Sequence, residues 1–246
     1  AITVEGANIL TRSLIVFGQG AIRCHPFVLK ELEAAENNDT KMGLYNFDKA
    51  LFAHIGYAIS NLSRSLILAI TNARYSKTPV NTNTKRYYQH INRYSAAFAV
   101  ASDFAMLSLG GELKKKELLS ARLGDVLSSM YLASTVLKHY ENQGCKPNDL
   151  PLVQWSVRTL MYEAQEKLHN FLKNLPNRPL ASFLRCCIFP RGRSYSPPPD
   201  ELTKKVSAII TTCGDARERL SEYAYTILED GNPLGLLQEA LELSEN

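Results

Sequence analysis

Four long stretches of this sequence repeat their apolar residues every three or four positions, a spacing that leaves little choice of fold. Leu44, Phe47, Leu51, Ile55, Ile59, Leu62, Leu66, Ile70 and Ala73 form the first series, and Tyr87, Ile91, Tyr94, Phe98, Ala101 and Ala105 the second. A third runs Leu119, Leu123, Val126, Met130, Ala133, Leu137 and Tyr140, and a fourth Val153, Val157, Leu160, Ala164, Leu168, Phe171 and Leu175. Apolar residues spaced this way collect on one face of an α-helix. Each series predicts a helix of about 20 to 30 residues, and long helices joined by short loops pack as an antiparallel bundle.

The punctuation agrees with that reading. Gly110-Gly111 should close the second helix, because glycine supplies the left-handed turn that ends one. Gly144 and Pro147 stop the third, while Pro151 and Pro176 bracket the fourth. A short helix is expected over Pro26 to Glu36, before the polar loop Asn37 to Gly43, and another loop over Lys77 to Asn83. The strongest break is Phe189 to Arg193 followed by Ser196-Pro197-Pro198-Pro199. Beyond it, Asp200 to Thr212, Asp215 to Leu228 and Pro233 to Leu243 read as shorter helices. No stretch alternates with period two, so no strand is predicted. The expected class is all-α: a long antiparallel helical bundle with shorter C-terminal helices.

Composition closes off other classes. The 246 residues are 45% hydrophobic and 21% charged, which suits a globular chain and not a disordered one. A net charge of +4 is weak for a dedicated nucleic-acid module. The five cysteines (Cys24, Cys145, Cys186, Cys187 and Cys213) contain no Cys-x-x-Cys pair, and reduced thiols are expected. Cys186 and Cys187 are read as partly buried neighbours on a short helix. The longest apolar stretch, Ala96 to Leu109, is interrupted by Ser102 and Asp103 and falls short of the roughly 20 residues of a membrane span. No signal peptide opens the chain, and the absence of an initiator Met suggests a piece of something longer.

Most chemistry-bearing motifs are missing, including a phosphate-binding Gly-rich loop, a nucleophile elbow and His-Glu-x-x-His. The five histidines (His25, His54, His90, His139 and His169) fall on different helices without ligand spacing, so no metal site is expected. Lys85 to His90, with Arg93 and Tyr94, interleaves basic and aromatic residues as some single-strand binders do. On a helix, Arg86, His90 and Arg93 share a side away from the apolar stripe. A solvated polar face accounts for them, and no nucleic acid is expected. Lys114 to Lys116 and the Arg185, Arg191 and Arg193 cluster are read as solvated too, although a lipid head group or phosphate would suit them.

The N-terminal segment Val4-Glu5-Gly6-Ala7-Asn8-Ile9-Leu10-Thr11-Arg12 sets an acid and a glycine at the start of an apolar helix. An acid near a helix N-terminus needs no chemistry to explain it. Yet the segment resembles the closing signature of the acyl-CoA dehydrogenases, a Tyr-Glu-Gly-Thr-Asn run followed by Ile and Arg. Val4 stands where Tyr is common and Ala7 where Thr is common; Glu5, Gly6, Asn8, Ile9 and Arg12 are kept. The resemblance continues through Phe17 to Pro26, Thr84 to His90, Leu109 to Gly111, Ser120 to Ser128, Asp149 to Val153, Phe171 to Arg178 and Phe189 to Arg193. Together these are similar to the C-terminal portion of the long bacterial acyl-CoA dehydrogenases of fatty-acid β-oxidation, over about residues 1 to 230.

The resemblance implies α,β-dehydrogenation of fatty acyl-CoA thioesters with FAD. It makes Glu5 the catalytic base, with its own N–H as a donor to the thioester oxygen. It gives Gly6 as the residue that leaves room for substrate, and sets Ala7, Asn8 and Ile9 near the flavin. Such a base needs a raised pKa and preset donors. Residues 1 to 25 then form the tail of a dehydrogenase core, and 26 to 246 an all-α C-terminal domain with its Pro-rich break near 190 to 199. The family's flavin-binding portion lies upstream of this motif, so the chain alone is expected to be inactive and to bind no FAD. Implied partners are acyl-CoA, an electron-transfer flavoprotein, the chain's own catalytic core and a further copy of itself. The expected location is cytoplasmic, with peripheral contact at the inner membrane. The other reading is a non-catalytic helical module for oligomerisation or membrane-surface docking. Finally, Arg122 and Asp125, three apart on the third helix, are expected to meet, and the small Gly124 between them to admit a close neighbour.

Overall fold

The computed structural model describes residues 2–12, 15, 20–80, 82–229 and 231–244. Eleven α-helices and no strand occur among the described residues: α1 (Ile2–Leu10), α2 (Gly20–Cys24), α3 (Val28–Ala35), α4 (Thr40–Ile70), α5 (Lys85–Leu109), α6 (Glu117–Asn142), α7 (Leu150–Asn174), α8 (Arg178–Ile188), α9 (Asp200–Thr211), α10 (Asp215–Ser221) and α11 (Pro233–Ser244). The class is all-α, as expected. Single 3-10 turns at Gly110–Lys114 and Pro147–Asp149 precede α6 and α7. Phe17, Gly18 and Gln19 lie outside the described residues.

Local chemistry explains the helix ends. Asp39 accepts from the backbone N–H groups of Lys41 (3.0 Å) and Met42 (3.2 Å), which caps α4. Asn177 caps α8 by accepting from the Leu180 N–H at 3.1 Å. Gly110 turns the chain out of α5 with φ +50°. Asn72 and Ala73 turn it after α4 with φ +50° and +57°, a left-handed conformation uncommon outside glycine. The series ending at Ala73 therefore outruns its helix by three residues. The stretch expected to be helical to Leu228 stops at Ser221.

The chain divides into two compact units. The larger comprises residues 1–135 and 160–195. Its core is built from Tyr94, Ala97, Val100 and Ala101 of α5, Leu123 and Val126 of α6, Met161, Leu168 and Phe171 of α7, and Leu184 and Ile188 of α8, all nearly inaccessible. Each large side chain so buried contributes about 1.5–3 kcal/mol, which makes this set the main source of the unit's stability. The smaller unit comprises residues 136–159 and 196–246. Leu137, Tyr140, Val153, Val157, Leu202, Val206 and Ala216 are its buried apolar residues among those described. There the Trp155 indole N–H donates to Thr203 Oγ1 at 3.2 Å, and Arg219 pairs with Asp149.

Two helices depart from the expected faces. On α4 the buried positions are Gly43, Ala50, Asn61, Ser65, Leu68 and Ala69, whereas Leu44, Ile55, Ile59 and Ile70 of the predicted apolar face stand exposed. On α5 the buried face is rotated to include Gln89, Arg93, Ser102 and Asp103. The span Lys85–Lys114 is long and apolar enough to cross a membrane by length and composition. Two of its buried polar side chains nevertheless bond to protein: Gln89 donates to the Arg74 and Ser76 carbonyls, and Asp103 accepts from His25. Such pairing is how polar groups are accommodated in a protein core.

Candidate functional site

The five residues that the resemblance singled out lie together on α1. Glu5 occupies its first turn, where a carboxylate interacts favourably with the helix dipole. Glu5, Gly6, Ala7, Asn8 and Ile9 are all exposed. A Cβ built on Gly6 would meet nothing within 4 Å, so this chain's own packing gives no reason for a glycine there. Ala7, Asn8 and Ile9 continue the same exposed helix.

Beyond α1, Arg12 reaches α6. Its Nε lies 3.3 Å from Asp125 Oδ1, and Lys167 on α7 holds the other carboxylate oxygen at 2.8 Å. Asp125 thus pairs with Arg12 and Lys167, and among the described residues it forms no ion pair with the predicted partner Arg122, one helical turn away on the same helix. Gly124 does admit a close neighbour: the Arg12 backbone oxygen lies 3.0 Å from where its Cβ would stand.

The structure also gathers groups that the sequence leaves scattered. His25, before α3, accepts at Nδ1 from the backbone N–H groups of Phe27 (3.2 Å) and Val28 (3.1 Å). With Nδ1 an acceptor, the ring proton resides on Nε2, which donates to Asp103 Oδ1 of α5 at 2.9 Å. Asp103 is buried, and its Oδ2 has no partner. His54 on α4 packs against the His25 ring with centroids 4.6 Å apart, and its Nδ1 bonds Glu31 at 2.8 Å. A cavity of about 330 Å³ adjoins the pair, lined by Cys24, Tyr57, Phe98 and Met106 among others.

Ligand atoms of His25, His54 and Asp103 lie within 4.8 Å of one another, a spacing that would admit a metal. His25, however, has spent one nitrogen on backbone N–H groups and carries its proton on the other, which leaves it no lone pair for a cation. The cluster reads instead as a buried hydrogen bond, from the His25 Nε2–H to the Asp103 carboxylate, that fixes the α2–α3 turn against α5. Sequence reasoning missed it because the partners are 78 residues apart. Its one signal was Asp103 itself, since an acid within an apolar run must find a partner when buried.

A second gathering corrects the solvated face assigned to Arg86, His90 and Arg93. Arg93 is only 3% exposed. Its Nη1 donates to Asn72 Oδ1 (3.2 Å) and Ser194 Oγ (2.9 Å). Arg86 donates from Nη2 to the Asn72 carbonyl (2.9 Å) and to His90 Nε2 (3.1 Å), and from Nη1 to Gln89 Oε1 (2.7 Å). Burial, reinforced by the two guanidiniums, pushes the His90 pKa down to about 3. The left-handed turn at Asn72 is what aims its carbonyl at Arg86 and brings its side chain to Arg93. Elsewhere, Cys186 is exposed and Cys187 buried, where partial burial of both was expected.

Residues 22–246 match the family described as acyl-CoA dehydrogenase, C-terminal, bacterial type. The chain belongs to this family. No solved structure matches it. The family match begins at Ile22, so the α1 motif precedes the matched segment, and the all-α region from α3 onward is its body.

Proposed function

We propose that the chain is the C-terminal part of an FAD-dependent dehydrogenase that introduces an α,β double bond into fatty acyl-CoA thioesters, the first step of β-oxidation, and that Glu5 is its catalytic base. The supporting observation is Gly6. A glycine beside an acid on an exposed helix, with no neighbour of its own to accommodate, suits a substrate that approaches from outside the chain. Glu5 takes the proton α to the thioester carbonyl, and the Glu5 backbone N–H donates to the thioester oxygen as charge develops there. Ala7, Asn8 and Ile9 border the flavin, which accepts hydride from Cβ when bound. Ala7 has no hydroxyl, so it contributes shape and not a hydrogen bond. Because Glu5 stands in solvent here, the desolvation that a general base needs has to come from the dehydrogenase portion.

On this reading the isolated chain has no activity and holds no FAD. Its partners are acyl-CoA, an electron-transfer flavoprotein and its own catalytic core, in the cytoplasm or at the inner-membrane surface. In a protein carrying the dehydrogenase portion, Glu5→Gln keeps flavin and acyl-CoA binding and loses about two to four orders of magnitude in turnover and α-proton exchange. Near-normal turnover would move the base to another residue, and stoichiometric flavin on residues 1–246 alone would refute the partial reading. A second reading, that the helical region serves association, draws on the exposed Tyr45, Phe52, Ile55, Ile59 and Ile70 along α4. Apolar rows of that kind mark surfaces that another protein covers.

A further inference from the structure

Among the described residues, the Arg86–His90–Arg93 cluster has charge without a counter-ion. Between Asp48 and Asp103 the sequence contains no acidic residue and seven Lys or Arg. Among the described residues no carboxylate pairs with Arg86 or Arg93, and Asn72 and Ser194, which they do contact, are neutral. Both cations belong to α5, and Arg86 sits in its first turn beside Lys85, where the helix dipole is already positive and a basic side chain is unfavourable. The neighbouring groove of about 540 Å³ is lined by Arg74, Lys77 and Lys85 and by no acid. A buried guanidinium is costly unless paired, and among the described residues no carboxylate forms an ion pair with Arg93.

The unsatisfied atoms say what is missing. Three buried side-chain atoms here have no hydrogen-bond partner: Arg93 Nη2, His90 Nδ1 and the Tyr195 hydroxyl. His90 Nε2 accepts from Arg86, so its Nδ1 carries the proton and is a donor. Arg93 Nη2 can only donate, and a tyrosine hydroxyl can. The three share one place: the His90 and Tyr195 rings meet edge to face with centroids 4.9 Å apart, and Arg93 bonds Ser194, the residue before Tyr195. Three donors around two guanidiniums call for a ligand that only accepts and that carries negative charge. A tetrahedral oxyanion has the oxygens for all of them, and guanidinium groups match it well. Arg86 and His90 are only partly covered, so the cluster borders the surface on that side, while the three donor atoms themselves lie beneath it.

We propose that Arg86, His90, Arg93 and Tyr195 form a binding site for a phosphate group. The site is independent of the Glu5 reading and stands or falls on different residues. Its ligand is a soluble phosphate ester or the phosphate of a lipid head group, which share the chemistry recognised.

Inorganic phosphate is titrated into the 246-residue chain at constant ionic strength kept with sodium chloride. The expected result is saturable binding, a shift of the His90 side-chain nitrogen resonances, and a rise in melting temperature that chloride alone does not give. Arg86→Gln, at a partly exposed position, retains the helical circular dichroism and weakens binding at least tenfold. Lys116→Gln, on the other basic run, leaves binding unchanged. Displacement of phosphate by adenosine 3′,5′-bisphosphate assigns a soluble ligand. Displacement only by phosphatidic acid in phosphatidylcholine vesicles assigns a head group; both outcomes support the site. No stabilisation beyond chloride, an unmoved His90 signal, or binding that Arg86→Gln leaves intact would overturn it.

Discussion

The backbone oxygen of Arg12 stands 3.0 Å from the point where a Cβ on Gly124 would sit. That approach ties the segment after α1 to α6, and the Arg12–Asp125 ion pair lies beside it. Exposed ion pairs contribute little by themselves, and Arg12 is about half exposed, so the close approach at Gly124 matters more than the charge. Gly124→Ala requires the Arg12 backbone to give by a few tenths of an ångström and should lower the melting temperature slightly. Gly124→Leu overfills the contact and should cost roughly 1–3 kcal/mol. For a chain of this size that is a fall of about 2–12 °C in a thermal melt. An unchanged melt for the leucine variant would mean that Arg12 does not pack on α6 in solution.

Gly6 gives the opposite expectation. With nothing near its Cβ position, Gly6→Ala should leave the isolated chain as stable as before, or up to about 1 kcal/mol more stable, because alanine favours the helix. In a protein carrying the dehydrogenase portion, the same methyl group should intrude on the substrate and lower kcat/KM at least tenfold. Melting temperature and kinetics measured side by side check both halves. Unchanged kinetics would remove Gly6 from the substrate surface.

His25 and Asp103 should behave as a coupled pair. His25→Ala takes the acceptor from the Phe27 and Val28 N–H groups and strands a buried carboxylate, at a cost of about 3 kcal/mol. Asp103→Leu in the same chain should recover part of that loss, since it removes the stranded charge. Urea denaturation of the single and double variants measures the coupling. Strictly additive losses would show that the two side chains do not depend on each other.

His90 should make stability fall with acid. Its pKa in the folded chain is about 3, below the ordinary value of 6.5, because burial and then Arg86 and Arg93 disfavour the imidazolium. Above pH 6.5 the ring is neutral folded or unfolded, and the folded state keeps the full benefit. Below that pH the unfolded chain takes up a proton that the folded chain refuses, so stability is lost from pH 6.5 downward to about 3. The slope is at most about 1.4 kcal/mol per pH unit. Between pH 6.5 and 5, before most carboxylates titrate, His90→Gln should flatten the curve in urea denaturation. An equally steep curve for the variant would place the proton uptake on another group.

Helix positions were legible because they rest on local rules. The series Leu119 to Tyr140 is buried throughout, and Gly110 closes α5 where its φ of +50° requires a permissive residue. The α4 face was misread for a definite reason. Its apolar residues cover more than one side of the helix, so periodicity alone does not say which side meets neighbours; in this unit the small residues Gly43, Ala50, Ser65 and Ala69 do. Gly43 shows the cause, since a Cβ there would lie 2.9 Å from the Ala34 oxygen of α3. Close helix approach selected small side chains, and the larger ones were left outside.

The sequence by itself determined the all-α class, the ends of α5, α6 and α7 and the Glu5–Gly6 motif, since spacing, turn residues and contiguous motifs act over a few residues of chain. Only the tertiary structure decided that Arg93 and Asp103 are buried, that His25 rather than a nearby basic residue holds Asp103, and that Asp125 turns to Lys167 and Arg12. Those choices join residues tens of positions apart. A polar side chain's environment is set by whatever the fold brings against it, and helical periodicity carries no information about which distant group that is.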